Sequence, residues 1–277
     1  MKTVVKRNGE IAHFDEGKFR KSLERVGASG AEIARISKYI QEHLSDGMTT
    51  HELYKMAYAQ LRSKSTKAAG RYRLKKAIID MGPTGYPFEH LVGELLQSEG
   101  FRVQVGIVSQ GLCVSHELDV VAENYDRRIM VECKFHNDIR RKSDVKVALY
   151  IKSRFLDMRD AWIKSAPNSA LSYEGWIVTN TRFTGDALQY GLCAGLNMIS
   201  WDYPSGNSLR DWIDKSGFHP ITVLQSLTKA EKKLLLEEDV VLCRNLLQNP
   251  LILNKLGKTE RQIQKVLTEA RIIVAQL

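Results

Sequence analysis

The sequence predicts a mixed α/β protein built in three parts, and three features support this. An Asn8-Gly9 turn signal stands between two short strand-like runs, and helical periodicity follows it. Strand and helix patterns alternate in the middle of the chain, and the last stretch reads as helical throughout. We therefore predict an α+β domain over residues 1–82, an α/β sheet core with flanking helices over 83–217, and a small helical domain over 218–277.

The first part begins with a predicted hairpin, Thr3 to Arg7 and Glu10 to Phe14. Asp15 is a typical helix N-cap, and apolar residues follow it at helical spacing. A second helix is predicted from the spacing of Ile33, Ile36, Ile40 and Leu44. Thr50 is predicted to cap a third, and a fourth runs from about Lys67 to Asp80.

A linker separates the first part from the second, because two glycines and two prolines between Met81 and Pro87 cannot continue a helix. The second part reads helix, strand, strand, strand, helix, strand, helix, strand. The third part begins near Phe218. Helices are predicted over Lys229–Leu247 and Thr259–Gln276, and their Leu-rich spacing is typical of a helical bundle.

Composition narrows the classes of partner. The net charge of +9 favours a polyanion such as DNA, because neutralising phosphates releases counterions. No apolar run is long enough to predict a membrane span, and the amino-terminal residues lack a signal-peptide pattern, so we expect a cytoplasmic protein. The four cysteines are widely spaced without a CxxC pair, which favours reduced thiols over a zinc ribbon or disulfides.

Charged residues interrupt an otherwise apolar strand at Glu132 and Lys134. Strand side chains alternate between faces, so Glu132 and Lys134 share one face and Val131 and Cys133 share the other. An unpaired charge in a buried strand is costly. The pattern therefore indicates that these two side chains have a chemical use.

A third charged residue, Asp119, lies on the preceding predicted strand. If Tyr125 and Asp126 form the turn between the strands, Ala122 faces Ile129 and Asp119 faces Glu132. Two carboxylates and an ammonium would then converge, although a slip of one residue would separate them. Carboxylates suit Mg²⁺ or Mn²⁺, which activates a water for attack on a phosphodiester, and a lysine would position that water. The alternative is an exposed ion-pair network on a hairpin.

Asp119 followed by Glu132-x-Lys134 resembles the PD-(D/E)xK nucleases, including Mrr-like restriction endonucleases and archaeal Holliday junction resolvases. The resemblance covers about Tyr86 to Tyr203 and implies a restriction-endonuclease-like sheet with Asp119 and Glu132 as metal ligands and Lys134 as a catalytic residue. The segment before Asp119 departs from the family's glycine-rich turn and leaves Glu117 as a competing ligand. We favour Asp119, because Leu118 and Val120 fit an inward face.

Glu89 has two interpretations. It lies in the first turn of a predicted amphipathic helix, where a carboxylate complements the helix dipole. The family resemblance instead implies a further acidic catalytic residue near the metal. The sequence does not decide between them.

The first part resembles the ATP-cone, a regulatory nucleotide-binding domain of ribonucleotide reductases and their repressor. The matching residues are Val5-Lys6-Arg7-Asn8-Gly9, Phe14-Asp15, Lys18 and an Ala69-to-Tyr72 ending, with Gly70 and Arg71 as departures. The resemblance implies that ATP or dATP binds as a regulatory ligand, with contacts from Val5, Lys6, Arg7, Lys18 and Tyr72. Alternatives are a plain hairpin with surface lysines, or a DNA-facing helix formed by the basic run from Arg62 to Lys76.

The expected function is metal-dependent DNA cleavage regulated by an adenine nucleotide, in a homo-oligomer of two or more copies. The alternatives are a nucleotide-sensing DNA-binding regulator with an inactive nuclease fold, and a junction resolvase.

Overall fold

The first part of the chain combines a small sheet with helices. The computed structural model describes residues 2–6, 9–167 and 170–275. Its first elements are β1 (Thr3–Val5), β2 (Ile11–His13), α1 (Glu16–Glu24), α2 (Gly30–His43), β3 (Met48–Thr49), α3 (Thr50–Arg62) and α4 (Thr66–Ile79). β1 pairs antiparallel with β2, which confirms the predicted hairpin, although Arg7 and Asn8 of its turn lie outside the described residues. β3 joins β1 in parallel.

Two predicted helix starts have different outcomes. Asp15 accepts a hydrogen bond from the Lys18 N–H and caps α1, as predicted. The prediction of Thr50 as the cap of α3 is wrong by one residue: Thr49 is the cap, because its hydroxyl and the Glu52 carboxylate form a reciprocal capping box.

The second part is a five-stranded sheet with helices on both faces. Its elements are α5 (Tyr86–Ser98), β4 (Arg102–Gln110), β5 (Ser115–Glu123), β6 (Arg127–Lys134), β7 (Lys142–Ser143), α6 (Val145–Ser165), β8 (Ser172–Thr179), β9 (Arg182–Phe183), α7 (Gly185–Cys193), β10 (Leu196–Ile199) and α8 (Leu209–Ser216). The sheet order is β10-β8-β6-β5-β4, with β4, β5 and β6 antiparallel and β6, β8 and β10 parallel. The mixed α/β class is confirmed, and β6 is the central strand.

Two apolar cores enclose this sheet. One lies against α5 and includes Phe88, Val120 and Val131, and the other lies against α6 and includes Met130 and Phe155. Because β6 is covered on both faces, any charged side chain near its end needs partners.

The third part consists of short helices packed around one apolar cluster. A 3-10 turn (Ile221–Val223) precedes α9 (Lys229–Glu237), α10 (Cys243–Gln248), a second 3-10 segment (Pro250–Leu256) and α11 (Glu260–Val274). The predicted single helix over 229–247 is wrong, because the chain breaks after α9 and Asp239 adopts a φ of +58° there. Thr259 caps α11, as its predicted starting position implies, whereas Gln276 lies outside the described residues.

The third part also packs against α4 of the first part. The Thr222 hydroxyl donates to the Ala77 carbonyl at 2.6 Å. A Cβ at Gly70 would lie 3.1 Å from Ile273 Cδ1, so α11 approaches α4 at a position where the sequence has no side chain. This close approach gives a physical reason for the glycine. The division of the chain at residues 82 and 217 stays a prediction.

Within the described ranges, no helix combines the length and the apolar character needed to cross a bilayer.

Candidate active site

The hairpin of β5 and β6 has the predicted register. Ala122 pairs with Ile129, and Val120 pairs with Val131. The Asn124 N–H donates to the Arg127 carbonyl at 3.0 Å, which places Tyr125 and Asp126 in the turn. The paired residues of β5 and β6 end at Val120 and Val131, one position before Asp119 and Glu132.

Asp119 stands where the ladder ends. Its Oδ2 accepts a hydrogen bond from the Cys133 N–H at 2.7 Å, so the side chain bonds the backbone of β6 directly. This bond fixes the carboxylate against the strand that carries Glu132 and Lys134.

The strand changes face at Asp119, and this corrects the prediction that Leu118 and Val120 share a face. Leu118 belongs to the core against α6, whereas Val120 belongs to the core against α5. On the neighbouring strand, Gly106 lies between the pairs Val105–Val120 and Ile107–Leu118 and adopts a φ of +63°. Both strands change face at this opposed position, since Val105 packs in the same core as Val120 and Ile107 packs in the same core as Leu118.

Glu132 is held by an arginine that the sequence did not indicate. Arg154 of α6 donates from Nη1 to Glu132 Oε2 at 2.9 Å, and its Nη2 donates to the Glu117 carbonyl. The side chains of Arg154 and Glu132 are 11% and 14% exposed, so this ion pair is largely shielded from water. An ion pair across 22 residues leaves no local sequence pattern, which is why sequence reasoning missed it.

The carboxyls in this region hold protons more strongly than usual. Burial raises the pKa of Glu132 to about 7; the Asp119 charge adds to this, whereas Arg154 and Lys134 oppose it. Burial also raises the pKa of Asp119, against the Cys133 N–H bond and Arg154. Burial is the largest cause in both cases, and the charge of a neighbouring carboxylate adds to it, so a cation bound between the two carboxyls would favour their ionised forms.

Glu89 belongs to the same group of charges. Burial raises its pKa to about 7, and the charges of Asp119, Glu117 and Glu132 contribute. A Cβ at Gly85 would lie 3.1 Å from Glu89 Oε1, so the carboxyl bends back over the start of α5. Glu89 lies in the first turn of α5, so the dipole interpretation also stands.

The end of β6 opens into a cavity of about 470 Å³, lined by residues that include Pro83, Gly85, Lys134, His136 and Arg141. We call it the strand-end cavity. It gives Lys134 a recess large enough for part of a substrate. His136 lies at its wall, with Nε2 3.0 Å from the Ser143 hydroxyl.

Thr179 and Asn180, at the end of β8, are fully buried and brace β6. The Thr179 hydroxyl donates to the Lys134 carbonyl at 2.7 Å. Asn180 Nδ2 donates to the His136 carbonyl at 2.9 Å, and its Oδ1 accepts from the His136 N–H at 2.8 Å. The two residues therefore position the strand end.

The side chains that could coordinate a metal ion are only partly brought together in the structure. Among the residues described, no three Asp, Glu, His or Cys side chains form a group arranged to hold an ion. Asp119 and Glu132 are hard oxygen donors of the kind that Mg²⁺ accepts together with water. Their hydrogen bonds to Cys133 and Arg154 use Asp119 Oδ2 and Glu132 Oε2, and leave Asp119 Oδ1 and Glu132 Oε1 outside those two bonds.

Comparison with known proteins places the chain in a family. An uncharacterized protein of Archaeoglobus fulgidus is 32% identical over 184 residues, which cover 66% of this chain and 99% of that protein. The chain belongs to the AF1548-like family. The AF1548-like C-terminal family model matches residues 219–274. The crystal structure of AF1548, a protein of unknown function, superposes with a TM-score of 0.56 at 31% identity, covering 69% of this chain and 98% of that one.

The part of this AF1548-like protein that begins at residue 2 is an ATP-cone, since the ATP cone domain model matches residues 2–79. The resemblance to this domain is confirmed. A further structure, Can2 from Sulfobacillus thermosulfidooxidans in complex with cyclic tetra-adenylate, has a TM-score of 0.35 at 18% identity, covering 72% of this chain and 54% of that one. That similarity is too low to support an argument about fold or function.

The predicted nucleotide contacts of this ATP-cone lie in different places. Lys6 pairs with Glu10 at 2.7 Å, and Lys18 pairs with Asp15 while its side chain is 85% exposed. Val5 is partly buried in β1, and Arg7 lies outside the described residues. Tyr72 lines a cavity of about 370 Å³, whereas Val5, Lys6 and Lys18 are outside its lining.

The cavity beside Tyr72 is bounded by the ATP-cone and by the sheet region, and we call it the cone–sheet cavity. Its walls include Tyr54, Arg71 and Tyr72 from the ATP-cone, and Ile139, Trp201 and Arg210 from beyond it. Sequence reasoning did not foresee it, because its two walls are far apart in the chain.

The alternative in which the basic run from Arg62 to Lys76 faces DNA stays a prediction, and one of its residues is buried. Arg71 is 5% exposed, and α4 packs against α3, α11 and the turn over 221–223. Among the basic residues of α4, Lys76 is exposed, and Lys67, Arg73 and Lys75 are partly buried.

The raised pKa values of the AF1548-like site predict a pH-dependent stability. Between the ordinary glutamate pKa of 4.5 and the folded value of about 7, the folded state keeps protons at Glu89 and Glu132 that the unfolded chain has lost. Stability should therefore fall as pH rises through this interval in the presence of a chelator. Thermal melts from pH 5 to pH 8 measure this.

The variant Glu89→Gln separates the contribution of one carboxyl. At pH 8 we expect it to raise the melting temperature by about 2–4 °C, the shift that corresponds to about 1 kcal/mol in a chain of this size, since partial exposure reduces the full effect. At pH 5, where the carboxyl is protonated in the folded state, we expect little change. An equal gain at both pH values would show that the charge of Glu89 is not the cause.

Proposed function

We propose that this protein is a metal-dependent DNA endonuclease of the PD-(D/E)xK type, regulated by ATP or dATP bound to its ATP-cone. The observation that carries the proposal is the arrangement of Asp119, Glu132 and Lys134 at the end of two adjacent strands. The Cys133 N–H donates to Asp119 Oδ2 at 2.7 Å and so holds Asp119 against the strand that carries Glu132 and Lys134.

Asp119 and Glu132 would hold Mg²⁺ or Mn²⁺, and Glu89 would add a third acidic group. When bound, such an ion lowers the pKa of an attacking water and stabilises negative charge on the phosphate. Lys134 would orient or deprotonate that water and offset charge on the phosphoryl oxygens. Thr179 and Asn180 would keep the end of β6 in place during this step.

The proposed substrate is DNA. A net charge of +9 favours a polyanion. Lys134, His136 and Arg141 line the strand-end cavity, where they would meet an incoming phosphate. We keep two or more copies of the chain as the expected assembly, because cleavage of both strands of a duplex is served by paired sites.

The adenine nucleotide enters the proposal through the ATP-cone. The chain contains no GxxxxGK[ST] motif, so we expect the nucleotide to bind as a regulator without hydrolysis in this domain. The domain boundaries at residues 82 and 217 are part of the proposal and assign the regulatory and cleaving roles to separate parts.

One observation favours a second candidate function. The Arg154 guanidinium pairs with the Glu132 carboxylate. Such a pairing would neutralise the carboxylate in a site that no longer binds a metal cation. The chain would then be a nucleotide-sensing DNA-binding regulator with an inactive nuclease fold.

Incubation of the full chain with supercoiled plasmid tests the two functions. The reaction is run with Mg²⁺, Mn²⁺ or chelator, with and without ATP and dATP, and with Lys134→Ala as the inactive comparison. The nuclease proposal expects nicked or linear DNA that depends on the metal and on Lys134. Plasmid binding without metal-dependent cleavage under every condition would favour the regulator, and cleavage confined to a synthetic four-way junction would favour a resolvase.

A further inference from the structure

The cone–sheet cavity has walls from two parts of the chain. Its volume of about 370 Å³ falls within the range of about 300–1,000 Å³ that is usual for small-molecule sites. Ile139, Trp201 and Arg210 come from the region that carries the proposed active site. A ligand in this cavity would therefore touch the ATP-cone and the sheet region together.

The charged side chains that line the cone–sheet cavity favour the binding of an anion. Its lining includes five lysine and arginine side chains and one carboxylate, that of Asp214. Arg71 is 5% exposed, and its Nε and Nη2 are buried without a hydrogen-bond partner among the described residues. A buried guanidinium with unsatisfied donors is costly, and phosphate oxygens are the acceptors that suit its geometry.

The aromatic side chains of the cavity suit a planar base. Tyr54 and Tyr72 stack with ring centroids 5.1 Å apart at 9°. Trp201 contributes a third ring from beyond the ATP-cone, with Lys75 Nζ 5.4 Å from its centre. Base stacking on aromatic faces is a general mode of nucleotide recognition.

A second, polar cavity continues from the first. It has a volume of about 500 Å³ and shares the lining residues Arg25, Lys75, Trp201 and Arg210 with the cone–sheet cavity. The aromatic part would take the base and the polar part would take the phosphates. The chemistry thus fits a nucleotide that lies across both.

Ile139 connects the cavity to the end of β6. It lies in segment 135–141, which follows Lys134 directly and also lines the strand-end cavity through His136 and Arg141. Asn137 Nδ2 in the same segment donates to the Pro83 carbonyl at 3.3 Å. The segment is therefore held between the linker that leads to α5 and the wall of the cone–sheet cavity.

We propose that an adenine nucleotide binds in the cone–sheet cavity, held by Arg71 of the ATP-cone and Arg210 of the sheet region, and that it orders segment 135–141, which lines the strand-end cavity beside Lys134. This inference rests on the proposed function for its consequence in catalysis. The binding site itself stands on the cavity, its charge and its rings.

Titration calorimetry of the full chain with ATP tests the composite site. Arg210→Ala should weaken ATP binding about tenfold or more, because it removes a charged hydrogen-bond donor to a phosphate. Arg159→Ala is the matched control: each arginine lies on a helix and pairs with the aspartate that follows it, at 3.3 Å for Arg210 and 2.7 Å for Arg159. Equal affinity in Arg210→Ala and wild type, with both variants folded by circular dichroism, would overturn the composite site.

Hydrogen exchange of the full chain with and without ATP tests the link to β6. We expect ATP to slow exchange in segment 135–141 of the wild type and to have a weaker effect in Ile139→Ala at near wild-type affinity. ATP-dependent protection confined to residues 2–79 would overturn the link. These readouts do not use cleavage, so an inactive chain that binds ATP in this way would disprove the nuclease proposal and leave this inference intact.

Discussion

Lys134→Ala is expected to lower metal-dependent cleavage of plasmid DNA by at least about a hundredfold, the lower end of what a positioned proton-transfer group contributes. Lys134 is the ammonium at the end of β6, and its strand end is fixed by the hydrogen bond from Thr179. Removing the side chain takes away a charge that assists the attacking water and leaves the strand bonded. Initial rates on supercoiled plasmid with Mn²⁺ measure the change.

Two controls accompany this variant. Lys164→Ala removes an exposed lysine from the last turn of α6 and should cleave as the wild type does. The affinity of Lys134→Ala for a DNA duplex, measured by fluorescence anisotropy, should stay close to that of the wild type, because many basic groups share the contact with DNA. Cleavage that survives in Lys134→Ala would remove this residue from the mechanism.

Asp119→Asn is expected to lower both Mn²⁺ affinity and cleavage by at least about a hundredfold. Loss of an outer partner of a metal ligand costs about 10- to 100-fold, so we expect loss of a direct ligand to reach or exceed the upper end of that range. Asparagine keeps a carbonyl oxygen that can accept from the Cys133 N–H, so the fold of the strand end should be preserved. Calorimetric titration with Mn²⁺ and plasmid cleavage measure the two effects.

Asp126→Asn, in the turn of the same hairpin, provides the comparison for the amide substitution. This side chain is half exposed and far along the strands from Glu132, so we expect no effect on either measurement. Should Asp119→Asn bind Mn²⁺ as tightly as wild type, Asp119 would not be a ligand, and Glu117 would become the residue to test.

Local patterns in the sequence predicted much of this fold. The Asn-Gly signal indicated the β1–β2 hairpin, and counting back from the Tyr125-Asp126 turn gave the register of β5 and β6. Both signals depend on residues that are close together in the chain, so the sequence alone contains them. The ATP-cone motif was equally local, and residues 2–79 match that domain.

The features that could not be predicted depend on distant residues. The change of face at Asp119 coincides with the left-handed conformation of Gly106 at the opposed position of the adjacent strand. Arg154 reaches Glu132 from a helix that packs over the sheet, and Trp201 meets Tyr72 only in the folded chain. The division of the predicted helix at Asp239 reflects tertiary packing that overrides helical spacing.

The close approach of Ile273 to Gly70 has a consequence for how the molecule forms. The helix that contains Gly70 and Ala77 is synthesised well before the residues that pack against it, which include Thr222 and Ile273. Domains ordinarily fold as they leave the ribosome, from the amino-terminal end onward. Here the amino-terminal module can finish its packing only after Thr222 and Ile273 have also been synthesised, which couples its maturation to the integrity of a segment far along the chain.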